Sequence, residues 1–194
     1  MTAYRISVWR SYEPSARDAE RIAAELDAFC IALSDRERRL GGMHGTQNEP
    51  MDDRPSTSAP ATVEELQRLL REQSFVVMLA NETHDLVNYS AGGLGRATEV
   101  SVTLQVDLCT NPDLIRSILA LAIDHWDATE AAAYRWKLMG EDRVWLHWLR
   151  DGTPPVQTKR TIPDGSDAKT KAYRGGILYQ WPENAFERLV SETG

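Results

Sequence analysis

Hydrophobic positions recur along the chain at two different periods. Residues 4–9, YRISVW, form a short run of β-formers, which predicts a first strand. Beyond Pro14 the apolar residues return every three or four positions, as on one side of a helix. Ser15 and Asp18 have the spacing of a capping box at the start of this helix. The predicted apolar stripe consists of Ala19, Ile22, Ala23, Leu26, Phe29, Cys30 and Leu33.

Two further helices are indicated by their first residues. Thr62 and Glu65 form a second capping-box pair, which predicts a short helix through Arg71. The dipeptide 111–112, Asn-Pro, combines a side-chain cap with a proline in the first turn. The stripe that follows it at helical spacing is Ile115, Ile118, Leu119, Ala122 and Trp126.

Most of the predicted strands lie in the middle and at the end of the chain. The run 98–108 alternates between apolar and polar residues, which predicts a half-buried strand with one wet face. The segment 127–141 is ambiguous, since its alanines favour a helix and YRWKL alternates like a strand. The other predicted strands are 75–80, 86–90, 144–149 and 175–181.

This order of elements predicts the fold class. The strands cluster and do not alternate regularly with helices, so we expect an α+β fold with a mostly antiparallel central sheet. Helices would pack against that sheet within a single domain spanning residues 1–194. Residues 41–61 are rich in Gly, Pro, Ser and Asp, which predicts a long flexible loop inserted in this domain.

Composition limits the classes of partner. The chain has 29 acidic and 22 basic residues, a formal net charge of -7, and no basic stripe. Such a chain is not expected to bind nucleic acid directly and favours basic partners. No segment reaches the roughly 18 apolar residues of a membrane span, and the first fifteen residues contain no apolar stretch of the length that a signal peptide needs. With two widely separated cysteines, Cys30 and Cys109, we expect a reduced, cytoplasmic protein.

Motifs that carry chemistry are absent from the sequence. The four histidines occur in no metal-ligand spacing, and GGLGRAT, residues 91–97, lacks the context of a phosphate loop. We therefore predict no catalytic, cofactor-binding or metal-binding residue, and no enzymatic activity. Asp124, His125 and Asp127 form a chemical-looking cluster, but adjacent helical positions point in different directions and cannot all converge.

The stretch WLHWL, residues 145–149, permits two interpretations of His147. Both faces of such a strand carry aromatic or aliphatic side chains, as in a central strand covered on both sides. Alternatively, His147 is a general base between aromatic walls. The sequence shows no partner for this histidine, which favours the core strand.

Several of these features together resemble one protein family. They are Trp9-x-x-Tyr12, the Ala23, Leu26, Phe29 spacing, Trp126-Asp127, the strand Trp145-Leu146-x-Trp148-Leu149, and Gly175-Gly176. In this order they resemble the immunity protein 52 family of bacterial polymorphic toxin and type VI secretion systems. The chain departs from the family at Val144, where a glycine is expected, and at Ala128, where a proline often stands. The resemblance implies that Trp126, Trp145 and Trp148 are core residues.

The resemblance also implies a function. It predicts an immunity protein that binds and neutralises a cognate antibacterial toxin by stoichiometric protein–protein inhibition. The family's toxins are typically nucleases of the restriction-endonuclease fold, so the expected partner is a DNase with a basic cleft. Two alternatives remain open, a small hydrolase or transferase using His147 or His125, and an adaptor or chaperone that loads an effector.

Acidic residues near predicted turns are the candidate toxin contacts. The sequence does not identify the toxin, distinguish occlusion of its active site from disruption of its assembly, or decide whether the chain is a homodimer. For any one of these carboxylates, the simpler interpretation is an ordinary solvated charge. The candidates are Asp52, Asp53, Asp124, Asp127, Glu130, Glu141 and Asp142.

Overall fold

The computed structural model describes nine stretches of the chain, which form three α-helices and nine strands. The described residues are 3–12, 14–45, 61–72, 75–91, 98–105, 108, 110–136, 143–152 and 168–182. The helices are α1 (Ala19–Arg36), α2 (Val63–Glu72) and α3 (Pro112–His125). The strands are β1 (Ala3–Arg10), β2 (His44–Gly45), β3 (Val76–Ala80), β4 (Leu86–Ser90), β5 (Thr98–Leu104), β6 (Glu130–Trp136), β7 (Arg143–Arg150), β8 (Lys169–Tyr173) and β9 (Gly176–Gln180).

These elements form two compact units, which confirm the α+β class. Unit 1 comprises residues 1–10 and 103–194, and unit 2 comprises residues 11–102. The strand order is β1-β6-β7-β9-β8 in unit 1 and β2-β3-β4-β5 in unit 2. Each of the six strand pairs with a defined register is antiparallel. In unit 1, α3 packs on β1 and β6, while in unit 2 α2 packs on α1, β2 and β3.

The predicted caps begin the helices. Asn111 Oδ1 accepts hydrogen bonds from the backbone N–H groups of Asp113 and Leu114, both at 3.1 Å, and Pro112 occupies the first turn. The backbone N–H of Ser15 donates to Asp18 Oδ2 at 2.8 Å. A 3-10 turn at Ala16–Asp18 comes between this cap and α1, so the α-helix begins at Ala19. The cap therefore holds a tighter turn than the sequence predicts.

Strand β7 is the central strand of unit 1, as predicted. It pairs with β6 on one side and β9 on the other, and every residue from Val144 to Trp148 is buried. Trp126, Trp145 and Trp148 are each exposed by 1% or less, which confirms them as core residues. The register shifts opposite Ala133 and Tyr134, so a bulge there re-aims the side chains of β7.

One prediction about local structure is wrong, and the structure adds detail to two other segments. Strand β5 has no wet face, because Ser101 and Thr103 are buried together with its apolar residues, and it ends at Leu104. The ambiguous segment contains a strand, β6, whose alanines are buried. His44–Gly45, inside the predicted loop 41–61, forms a two-residue strand against Leu79 and Ala80. Residues 46–60, which make up most of the predicted loop, lie outside the described residues.

The hairpin between β8 and β9 explains both glycines of the sequence motif. Arg174 and Gly175 have φ of 49° and 69°, the left-handed conformation that favours glycine. At Gly176 the constraint is space, since an added Cβ would lie 2.2 Å from the carbonyl oxygen of Leu149 and 2.7 Å from the Trp148 ring. Trp148 is itself fixed, because its Nε1 donates to the carbonyl of Tyr173 at 2.8 Å.

We therefore predict that Gly176→Ala destabilises the protein by at least about 1–3 kcal/mol, the usual cost of overpacking a core. Gly175→Asn is the matched control, because nothing lies within 4 Å of its Cβ position and Asn tolerates positive φ. It should cost less than about 1 kcal/mol. Urea unfolding followed by tryptophan fluorescence measures both. Equal losses in the two variants would contradict the packing explanation.

Candidate functional site

The last turn of α3 and the turn that follows it hold two of the predicted toxin contacts, and both already have partners. Asp124 forms an ion pair with Arg174, and Asp127 Oδ1 accepts from Arg150 Nη2 at 2.5 Å. Asp124 and Asp127 therefore face different arginines and do not converge with His125 on one site. The His125 ring contacts Trp126 edge to face, with centroids 5.1 Å apart. Both carboxylates are exposed, at 51% and 86%, so they remain accessible to a partner.

Glu130 does not lie on the surface, and the prediction that it does is wrong. Its side chain is 3% exposed, and its Oε1 shares a hydrogen bond of 2.9 Å with Nε2 of His147, which is 5% exposed. The register places Ala132 opposite His147 and Glu130 opposite Leu149, so the pair is a diagonal contact on one sheet face. A buried imidazole needs a partner, and the carboxylate of the neighbouring strand provides one.

Each member of this pair lies opposite an aromatic residue on a neighbouring strand. Trp9 lies opposite Glu130 in the pairing of β1 with β6, and Tyr179 lies opposite His147 in the pairing of β7 with β9. The His147 and Tyr179 rings are 6.2 Å apart and tilted by 32°. In many enzymes a carboxylate orients an imidazole that acts as a general base, and this pair has the same two groups. At 5% exposure, however, the imidazole of this pair is closed to a substrate from solvent.

The remaining candidate contacts, Asp52, Asp53, Glu141 and Asp142, lie outside the described residues. Within the described ranges, no three His, Cys, Asp or Glu side chains are grouped so that they could hold one metal ion. In the same part of the chain, no helix is long and apolar enough to cross a membrane.

The acidic charge of the chain is unevenly distributed. Residues 11–102, which make up unit 2, contain 16 acidic and 9 basic side chains, a net charge of -7. The residues of unit 1 contain 13 of each sign and balance. The whole net charge therefore belongs to unit 2, whereas five of the seven predicted contacts belong to unit 1.

A groove of about 200 Å³ opens on the surface of unit 2. One wall is α1, through Asp27, Cys30, Ile31 and Ser34, at positions that share one side of a helix. The facing wall consists of Gly41, Gly42, Met43, Ala61, Leu66 and Leu79. Burial, and secondarily the charge of Asp27, raises the pKa of the Cys30 thiol to about 12, so at neutral pH the thiol is protonated and unreactive.

Comparison with known proteins finds a distant structural likeness. No protein-family model matches the chain, and no curated protein matches it. Among solved structures, it shows a distant structural similarity to the Pseudomonas aeruginosa T6SS protein PA0821. The TM-score is 0.49 at 10% identity, over 93% of this chain and 68% of the other. Membership of the immunity protein 52 family therefore stays a prediction.

We predict strong energetic coupling between Glu130 and His147. Removing either partner by Glu130→Ala or His147→Ala should cost about 1–3 kcal/mol, because the other polar group then stays buried without this hydrogen bond. The double variant should be less destabilised than the sum of the singles, with a coupling of about 1–3 kcal/mol. Chemical denaturation of the four proteins measures this cycle, and glutamine variants replace any alanine variant that does not fold.

The exposed pair Asp127–Arg150 is the matched control for this cycle. Its side chains are 86% and 36% exposed, so its coupling should stay below about 1 kcal/mol. A coupling at Glu130–His147 no larger than that of the exposed pair would show that the buried contact does not stabilise unit 1.

Proposed function

We propose that the chain is an immunity protein, which binds a cognate antibacterial toxin and neutralises it by stoichiometric inhibition. The observation that carries the proposal is the concentration of the net charge of -7 in residues 11–102. A surface of one sign attracts a partner of the opposite sign and raises the rate of encounter. The order of sequence features that resembles the immunity protein 52 family supports the same function.

The toxin that we propose is a nuclease of the restriction-endonuclease fold, delivered by a type VI secretion system. Nucleases bind phosphates in basic clefts, and an acidic protein is electrostatically complementary to such a cleft. Steered association of this kind reaches about 10⁸–10⁹ M⁻¹s⁻¹ at low salt. The protein would act in the cytoplasm, bind no nucleic acid itself and catalyse no reaction.

The enzyme alternative gains one observation from the structure, the Glu130–His147 contact. In that interpretation the carboxylate orients the imidazole, which acts as a general base. The low exposure of both side chains favours a structural pair instead. Turnover of a small substrate that is lost in a folded His147→Gln variant would support the enzyme alternative.

The adaptor alternative differs from immunity in one measurable property. A loading adaptor binds its effector and leaves the effector's activity intact, whereas an immunity protein abolishes it.

We predict that tagged protein purified from its native host at moderate salt retains one partner in a fixed stoichiometry. The complex should show no nuclease activity, and DNA cleavage should appear when the two proteins are separated. The assay uses plasmid DNA with the complex, the separated partner and the recombined mixture. The reason is electrostatic, so retention should weaken as the salt concentration rises.

Two controls accompany the purification. The same protein with a scrambled tag reports partners that bind the resin alone. An unrelated tagged acidic protein of similar size reports partners that bind through charge alone. A partner that cleaves DNA equally well inside the complex would contradict immunity and favour an adaptor. Retention of the partner by the unrelated acidic protein would contradict specific binding.

A further inference from the structure

The outer side of α1 carries the most exposed large hydrophobic residue in the part of the chain that the structure describes. Ile31 is 57% exposed, against 39% for Val76 and for Ile177. Its neighbours along the same side, Ala24 and Ala28, are exposed small residues. The inner side of α1 is a separate stripe, formed by Ala19, Ile22, Ala23, Leu26, Phe29 and Leu33, all fully buried. The buried stripe therefore holds α1 in the core, and the exposed side of the helix carries a second, small apolar area at its middle.

Carboxylates border this outer side. Glu20, Asp27 and Asp35 follow one another at helical spacing around Ile31, and Glu20 and Asp35 are exposed. The nearby cation Arg21 is engaged by Asp18 at 3.1 Å and by Glu25 at 2.5 Å. Arg17 precedes this surface and Arg36 follows it, and both are exposed. We call the outer side of α1 formed by Glu20, Ala24, Asp27, Ala28, Ile31 and Asp35 the α1 face.

The groove in unit 2 adjoins the α1 face and shares Asp27 and Ile31 with it. Its volume of about 200 Å³ is below the roughly 300–1,000 Å³ of pockets for small molecules. It is large enough for a side chain that enters from a partner's surface. The protonated Cys30 thiol adds a small, weakly polar wall.

We infer that the α1 face and its groove are the docking surface for the toxin, at a basic patch that presents one aliphatic or aromatic side chain among lysines and arginines. This inference rests on the proposed function. Charge complementarity supports it, since the face carries three carboxylates within the unit that holds the whole net charge of -7. The small side chains of Ala24 and Ala28 let a partner's backbone come close and lose little rotamer entropy on binding.

The same charges disfavour two other occupants. A second copy of the chain, docked through the same face about a two-fold axis, would oppose carboxylates to carboxylates. A nucleic acid would meet the same repulsion from its phosphates.

Two substitutions in the α1 face test the docking surface. The probe is the protein that the wild-type chain retains in the pull-down, identified by mass spectrometry and then produced by itself. Ile31→Asp places a charge at the centre of the interface and should weaken the Kd by about 10- to 100-fold, the range of a central contact. The double reversal Asp27→Lys, Asp35→Lys should lower the association rate by at least about tenfold at low salt and less at high salt.

Two matched variants change the same chemistry elsewhere. Ile177→Asp alters an exposed isoleucine of β9, and Glu82→Lys reverses a charge in the exposed turn between β3 and β4. Both variants should keep the wild-type Kd within about twofold, because residues outside the centre of an interface contribute little to the binding free energy. Circular dichroism melts establish that all four variants fold, as expected for positions outside the core.

The outcomes separate the docking surface from the proposed function. Loss of affinity in both α1-face variants, with both controls unchanged, supports the docking surface. A wild-type Kd in the α1-face variants, with the toxin still neutralised, overturns the docking surface and leaves immunity standing. If the wild-type chain retains no protein even at low salt, both fall together.

Discussion

The burial of β7 on both faces is the constraint on which unit 1 depends. Two tryptophans, Trp145 and Trp148, enter the core from this strand, and Trp148 restricts what can lie beside it. The Trp148 ring leaves no room for a side chain at Gly176, and its Nε1 fixes the hairpin at Tyr173. The one imidazole in the strand, His147, is buried as well and is paired with Glu130 on the adjacent strand. The packing of Trp148 therefore constrains the hairpin between β8 and β9. The hydrogen bond from β7 to β6 explains why a carboxylate, Glu130, is buried.

Local signals in the sequence were sufficient for the helices and for most strands. The cap at Asn111 and the stripe of α1 are set by neighbours within one or two turns, so they can be read without the fold. The second face of β5 and the strand character of β6 depend on what the sheet packs against. The Glu130–His147 contact depends on register, which pairs residues 17 positions apart, and no local pattern contains it.

The candidate contact residues also divide into those that local sequence indicates and those that only the fold reveals. Exposed acidic residues near predicted turns gave Asp124 and Asp127, which the structure places on the surface beside arginines. The apolar stripe that predicts a helix marks only its buried side. Ile31 lies outside that stripe, so the sequence pattern does not indicate it. It became a candidate once the structure showed that it is exposed and adjoins a groove. A binding surface of this kind has no motif, because its chemistry is a shape and a charge distribution.

The most direct test of immunity is a titration of the partner's nuclease activity with the purified chain. The partner is held at a concentration far above the expected Kd, and the rate of DNA cleavage is measured at each added ratio. We predict a linear fall of the cleavage rate to zero at one equivalent, as in stoichiometric occupation of a single site. Undiminished cleavage beyond several equivalents, or complete loss at a small fraction of one equivalent, would contradict it.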